Sequence, residues 1–189
     1  MSLGRAPVVV GAGGGLLGGS PRAVRALLAD VADALGGEVG ASRALVDAGW
    51  FGPERLVGAS GVTIAPVLYL GFGVAGTTYH EIGDPVHVIA VNTDPAAPLL
   101  ARATLPLCTD AAALLAELAP RLRGTRRGIR ADVRSPDVRS PDVRRSRGTV
   151  TERLRAVTGV PIGPVRAVPP ASAAQAASAV LAYLEECCG

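Results

Sequence analysis

Residues 7–24 read PVVVGAGGGLLGGSPRAV, and this stretch decides the fold class. A short apolar run at 7–10 leads into a glycine stretch at 11–19. Ser20 and Pro21 then stand where the N-cap and the first residue of a helix belong. Apolar residues follow at helical spacing as far as Leu35, and Gly36–Gly37 end the helix. A strand, a glycine loop and a helix in this order predict the opening unit of a nucleotide-binding α/β fold.

Further strands are predicted downstream of this unit. VLYLGFG at 67–73 and VHVIAVN at 86–92 are continuous apolar runs, as is typical of buried parallel strands, and LPLCT at 105–109 predicts a shorter one. Asp110 is predicted to cap a helix that continues to about Arg121. The expected fold class is α/β, with a Rossmann-like parallel sheet covered on both faces.

The character of the chain changes at residue 124. Residues 124–149 contain copies of a DVRSP unit, with repeated proline and charge and few large apolar residues, which predicts a disordered linker. Residues 150–189 then predict a small helical extension, through TVTERLRAVTG and SAAQAASAVLAYLEE, that docks on the main domain or on a partner. Residues 1–123 are the predicted α/β domain, and we expect it to remain folded without residues 124–189.

Charge and composition exclude several classes of protein. Residues 1–123 hold eight arginines against ten acids, whereas residues 124–189 hold eleven against six, so the excess positive charge lies in the tail. The tail lacks the interleaved aromatic residues that stack on bases, which argues against a nucleic-acid partner. No apolar run is long enough for a signal peptide or a membrane span, so we expect a soluble, cytoplasmic protein.

The glycine stretch also matches a dinucleotide fingerprint. Gly13, Gly15 and Gly18 have the G-x-G-x-x-G spacing that lets a backbone approach a pyrophosphate at a helix N-terminus. Glu38, twenty residues after Gly18, could then bind the ribose of a nicotinamide cofactor. An NAD-linked enzyme is therefore one alternative at this stage.

Four later segments carry a more specific signal. GGEVGASRALVDAGW at 36–50 resembles the G-A-S-R-x-x-V-D-A-G-W signature of the electron transfer flavoprotein alpha subunit, in its C-terminal FAD-binding domain. VGASG at 57–61, APVLYLGFGVAGTTYH at 65–80 and VNTDPAAPL at 91–99 resemble that family's following motifs, in the same order. The resemblance covers roughly residues 8–122. It implies a fold of the DHS-like NAD/FAD-binding type and FAD as the cofactor.

The resemblance also implies a set of cofactor-binding residues. Arg43 matches an arginine that lies over the flavin ring, with Ser42 beside it in contact with the cofactor. Ser60 matches a threonine that hydrogen-bonds the flavin, and His80 a histidine at its pyrimidine end. Asn92 and Asp110 match positions that hold the adenosine and ribityl portions. The complete implied set is Ser42, Arg43, Val57, Gly58, Ser60, Gly76, Thr77, Thr78, Tyr79, His80, Asn92 and Asp110.

Departures from the family pattern leave an alternative open. Gly14, Ala59, Ala75 and Tyr79 stand where the family carries an arginine, a glutamine, a serine and a glutamine. Losing these polar contacts could leave a scaffold or assembly subunit that keeps the fold with weak or no FAD binding.

The leading hypothesis is an electron carrier with no catalytic or metal site, since no constellation of acid, base, nucleophile or metal ligands is visible. It would pass electrons from a dehydrogenase to an acceptor, together with an electron transfer flavoprotein beta-type partner. The family's alpha subunits place another α/β domain before this one; because the first predicted strand begins at residue 7, we expect this chain to lack that domain.

Overall fold

Five parallel strands form one sheet in the order β2-β1-β3-β4-β5. The computed structural model describes residues 2–77, 82–124 and 172–188. The strands are β1 (Val8–Ala12), β2 (Glu38–Ala41), β3 (Leu68–Phe72), β4 (His87–Asn92) and β5 (Leu105–Cys108). The helices are α1 (Pro21–Leu35), α2 (Arg43–Asp47), α3 (Pro98–Arg102), α4 (Ala111–Gly124) and α5 (Ala173–Cys188). Single 3-10 turns occupy Leu3–Arg5, Gly14–Leu16 and Pro53–Arg55.

The sheet is covered on both faces, which explains its continuous apolar strands. Every residue of β1 and of β3 is buried. Alternate residues of β1 enter opposite cores: Val8 and Val10 pack with α1, α4 and α5, whereas Val9 packs with α3 and the surrounding loops. The predicted α/β fold class with a parallel sheet is therefore confirmed.

Helix α1 follows the sequence prediction, apart from its cap. Pro21 is its first residue, and Gly36 ends it in the left-handed conformation with φ 67°. The Ser20 side chain makes no capping hydrogen bond; only its carbonyl accepts, from the amide of Val24 at 2.9 Å. The proline at N1 has no N–H, so the first turn of α1 has one fewer amide left without a partner.

Strand β2 was not predicted from the sequence. It has only four residues, and glycine and alanine are weak strand formers. Gly40 is required there because a Cβ would lie 2.5 Å from Cγ2 of Val57. The strand thus depends on tertiary contacts: it pairs with β1 and packs closely against the 56–62 loop.

Helix α5 packs on the main domain and supplies part of its larger core. Its buried residues are Ala176, Ala177, Ala179, Val180, Tyr183 and Leu184. Arg121 of α4 donates from Nη1 to Ser178 Oγ at 3.1 Å, and His87 Nδ1 lies 2.8 Å from the Tyr183 hydroxyl. This packing does not support the expectation that the domain folds without residues 124–189. The predicted linker at 124–149 lies outside the described residues except for Gly124, which ends α4, so the domain boundaries remain predictions.

Candidate cofactor cleft

A cleft of about 970 Å³ opens at the carboxyl ends of β1 to β4. In the sheet, β2 lies on one side of β1 and β3 lies on the other. The direction in which the chain adds strands therefore reverses at β1. Ligands of open parallel α/β sheets bind outside the carboxyl ends of the strands at such a switch point. The volume is also in the range expected of a small-molecule or cofactor site.

Seven residues of the predicted set line this cleft: Ser42, Arg43, Val57, Ser60, Gly76, Thr77 and Asn92. Gly58 lines a separate cavity of about 250 Å³. Asp110 does not line the cleft; its Oδ1 accepts the amide of Ala113 at 2.7 Å and caps α4. Thr78, Tyr79 and His80 lie outside the described residues.

Ser42, on the cleft wall, has a side-chain hydroxyl whose hydrogen bonds are not satisfied within the described part of the chain. It follows β2 directly, and its amide donates to the carbonyl of Ala12 at 2.8 Å, which fixes it beside the end of β1. Its Oγ is buried and has no hydrogen-bond partner among the described residues. A buried hydroxyl without a partner costs about 1–3 kcal/mol. A polar ligand in the cleft would remove that cost.

Arg43 brings a positive charge to the cleft. It is the first residue of α2, and its side chain is 56% exposed. Nη2 donates to Ser60 Oγ at 2.5 Å, and Nη1 lies 3.8 Å from Oδ1 of Asp47. The other charged residue that lines the cleft in the described part of the chain is Asp94. The site therefore combines one cation and one carboxylate with walls that are mostly apolar.

The glycine loop after β1 lines the cleft and also hydrogen-bonds to the end of β3 and the loop that follows it. The amides of Gly13 and Gly15 donate to the carbonyls of Phe72 and Gly73 at 2.9 and 3.0 Å. A Cβ on Gly13 would lie 2.1 Å from the Gly73 oxygen, whereas one on Gly18 would meet nothing within 4 Å. The first two glycines of the fingerprint are thus required by close approach of the 73–76 loop, and these two amides are not available to a pyrophosphate.

Asn92 and Asp94 shape the wall at the end of β4. Asn92 Nδ2 donates to the carbonyl of Val74 at 3.2 Å, and its Oδ1 accepts the amide of Asp94 at 3.0 Å. Asp94 Oδ1 in turn accepts the amide of Ala96 at 2.9 Å. These bonds fix the turn after β4 against the loop after β3. Asp94 lines the cleft without having been predicted there, because its turn pattern gave no sign of a ligand.

Glu38 lies away from this site. It is the first residue of β2, at the opposite end of that strand from Ser42, and its Oε2 accepts from Arg55 Nη1 at 2.6 Å. Burial raises the pKa of Glu38, but the Arg55 hydrogen bond and charge act in the opposite sense, and the pKa is lowered overall. A ribose-binding acid belongs at the carboxyl end of the second strand. The position of Glu38 therefore removes the main support for the NAD-linked alternative.

Three of the four departures from the family pattern lie on the cleft wall. Gly14, Ala59 and Ala75 all line the cleft, while Tyr79 lies outside the described residues. The wall therefore lacks side-chain polar groups at these three points. Backbone groups, the Ser42 hydroxyl and Arg43 are what it offers instead.

Fold and site together define a doubly wound α/β protein with a cofactor cleft at its switch point. Residues 2–84 match the family model of the Electron transfer flavoprotein FAD-binding domain. This match spans β1, β2 and β3 and most of the cleft lining. The resemblance to the electron transfer flavoprotein alpha family is confirmed, and the family description agrees with FAD as the predicted cofactor.

Similar proteins match about two thirds of the chain. Protein FixB of Bradyrhizobium diazoefficiens is 41% identical over 124 residues, which are 65% of this chain and 33% of that protein. The probable mitochondrial electron transfer flavoprotein subunit alpha of Caenorhabditis elegans is 40% identical over 122 residues, 64% of this chain and 36% of its own length. The chain thus spans about a third of the length of the curated relatives that it matches. No helix in the described ranges is long and apolar enough to cross a membrane.

Proposed function

We propose that this chain binds FAD in the cleft at the ends of β1 to β4 and serves in electron transfer. The observation that carries the proposal is the unpartnered Ser42 hydroxyl beside Arg43, in the segment that matches the FAD-binding family model. When bound, FAD supplies the redox chemistry, and the protein supplies binding, orientation and electrostatics.

Ser42 contributes a hydrogen-bonding group to the proposed site. Its backbone is held at the end of β2 by a hydrogen bond to Ala12 that does not depend on a ligand. The loop therefore need not rearrange, and a rotation of the Ser42 side chain would turn the buried hydroxyl toward a cofactor. A preorganised group of this kind strengthens binding because little ordering is left to be done.

Arg43 contributes electrostatics. A fixed guanidinium stabilises the negative charge that reduction adds to a flavin more than it stabilises the oxidised form. Each ~1.4 kcal/mol of that preference raises a one-electron potential by about 59 mV. The hydrogen bond from Nη2 to Ser60 holds the guanidinium at the cleft in the absence of a cofactor.

The other predicted contacts complete the proposal. Val57, Gly76 and Thr77 line the cleft, and Asn92 braces its wall. The roles of Thr78, Tyr79 and His80 rest on the resemblance alone, as do those of Gly58 and Asp110. A beta-type subunit and a dehydrogenase donor are proposed as partners on the same basis.

A scaffold function is the second candidate, and the cleft wall favours it in one respect. Gly14, Ala59 and Ala75 offer no side-chain hydrogen bonds where the family has polar residues. If each net hydrogen bond is worth roughly 1 kcal/mol, the loss with Tyr79 included approaches 3–4 kcal/mol. That would weaken FAD binding by two or three orders of magnitude.

The visible absorption spectrum of the full chain separates the two candidates. We expect flavin bands and released FAD when the protein is purified alone or with a beta-type subunit. Colourless protein under both conditions, with no FAD taken up at millimolar concentration, would reject the redox function and favour the scaffold.

A further inference from the structure

Asp47 is a charged group next to the proposed site that the sequence comparison did not single out. It ends α2, four residues after Arg43, and its side chain is 62% exposed. Its Oδ1 lies 3.8 Å from Nη1 of Arg43, and it does not line the cleft. Arg43 is therefore held between two groups, with Ser60 on Nη2 at the cleft and Asp47 on Nη1 outside it.

Helix stability does not account for this pair. Cations are favourable near the C-terminus of a helix and anions near the N-terminus, whereas α2 has its arginine first and its aspartate last. Exposed pairs of this kind contribute about 0–1 kcal/mol to folding. The main physical consequence of Asp47 is therefore its effect on the guanidinium.

We propose that Asp47 is a positioning residue for Arg43: its carboxylate draws Nη1 toward the end of α2 and offsets part of the positive charge at the cleft. This inference rests on the proposed FAD site. It assigns to Asp47 the task of limiting how strongly Arg43 favours the reduced cofactor. Asp94, the carboxylate on the cleft wall, is already engaged with the amide of Ala96 and does not contact Arg43.

The test compares Kd values for oxidised and reduced FAD in the full chain. In Asp47→Asn the side chain no longer offsets the charge of the guanidinium, and the ratio of the oxidised to the reduced Kd should rise about threefold, or about 14 mV for the two-electron couple. The rise should shrink in ~1 M salt, where the Debye length is about 3 Å. Asp47→Glu, which keeps the charge one bond further out, should keep the ratio close to that of the unmodified chain.

Two controls show whether Asp47 acts through Arg43. Glu54→Gln removes an exposed acid that does not line the cleft, and it should leave the ratio unchanged. In an Arg43→Gln background, Asp47→Asn should have less than half its effect, since contacting residues are not additive. An equal shift in both backgrounds, or no shift at all, would overturn the positioning role while leaving the FAD site intact. An unmodified chain that binds no FAD would instead overturn the proposed function, and this inference with it.

Discussion

Arg43 is the cleft residue whose removal should have the clearest effect on redox behaviour. Arg43→Gln keeps a polar side chain and removes the charge that favours the reduced cofactor. We expect the one-electron potential of bound FAD to fall by about 30–60 mV, corresponding to roughly 0.7–1.4 kcal/mol, with weaker binding of the reduced form. The measurement is a spectroscopic titration against a redox dye of known potential.

The matched control for this change is Arg22→Gln. Arg22 is an exposed arginine of α1 that does not line the cleft, so its loss makes the same change in net charge elsewhere. A fall of equal size in both variants would show a general charge effect and contradict the role of Arg43.

The sequence predicted individual cleft residues better than their contacts. Ser42 and Arg43 were predicted together because both belong to the motif at 36–50 that resembles the family signature. The hydrogen bond from Arg43 to Ser60 joins residues seventeen positions apart, and nothing in the spacing of the two motifs indicates it. Asp110 caps α4, as its position before the helix predicts, while its role toward the cofactor stays a prediction from the resemblance.

At the scale of elements, the close packing of the glycine loop leads to a prediction about the free energy of unfolding. Gly13 has φ −116° and ψ 171°, a conformation open to any residue, so a substitution there is opposed by crowding alone, with the Gly73 oxygen at 2.1 Å and the Val74 Cα at 2.5 Å from an added Cβ. Gly13→Ala should lower the free energy of unfolding by about 2–3 kcal/mol, the cost typical of overpacking against atoms that cannot move freely. Urea denaturation of the apo protein measures it.

Gly18→Ala is the matched control within the same loop. An added Cβ meets nothing within 4 Å, and the φ of Gly18 is not positive. This substitution should be neutral or stabilise by about 0.4–1 kcal/mol, because alanine restricts the unfolded chain. Equal destabilisation by both changes would mean that the loop needs glycine for flexibility and not for close packing.

Elements with long, continuous apolar runs were the ones that the sequence identified. β3 and β4 are buried on both faces, so their composition alone indicated them. β2 was not predicted because a four-residue strand that contains glycine has no hydrophobic pattern of its own. It forms through its pairing with β1. The five-residue helix α2 is likewise too short to show a hydrophobic pattern of its own.

At the scale of the whole molecule, the question is whether the α/β domain can fold without α5. Val180, Tyr183 and Leu184 are each 1% exposed or less and pack in the core shared with α1 and α4. Fully burying side chains of this size stabilises a fold by about 1.5–3 kcal/mol each. Their sum is comparable to the net stability of an ordinary domain, about 5–15 kcal/mol. We therefore expect helix α5 to be needed for the fold of the α/β domain.

Two deletions test this conclusion. A chain that ends at Gly124 should lose cooperative unfolding, because the core face under α5 becomes exposed. A chain in which about ten Gly/Ser residues replace 125–171 should keep it, since a flexible linker of that length spans about 17 Å. The ends to be joined are close, because Arg121 Nη1 lies 3.5 Å from the carbonyl of Ala174. Calorimetry of both chains decides the matter: cooperative melting of the chain ending at Gly124 would show that α5 is dispensable, and failure of the linked chain would show that residues 125–171 themselves contribute to the core.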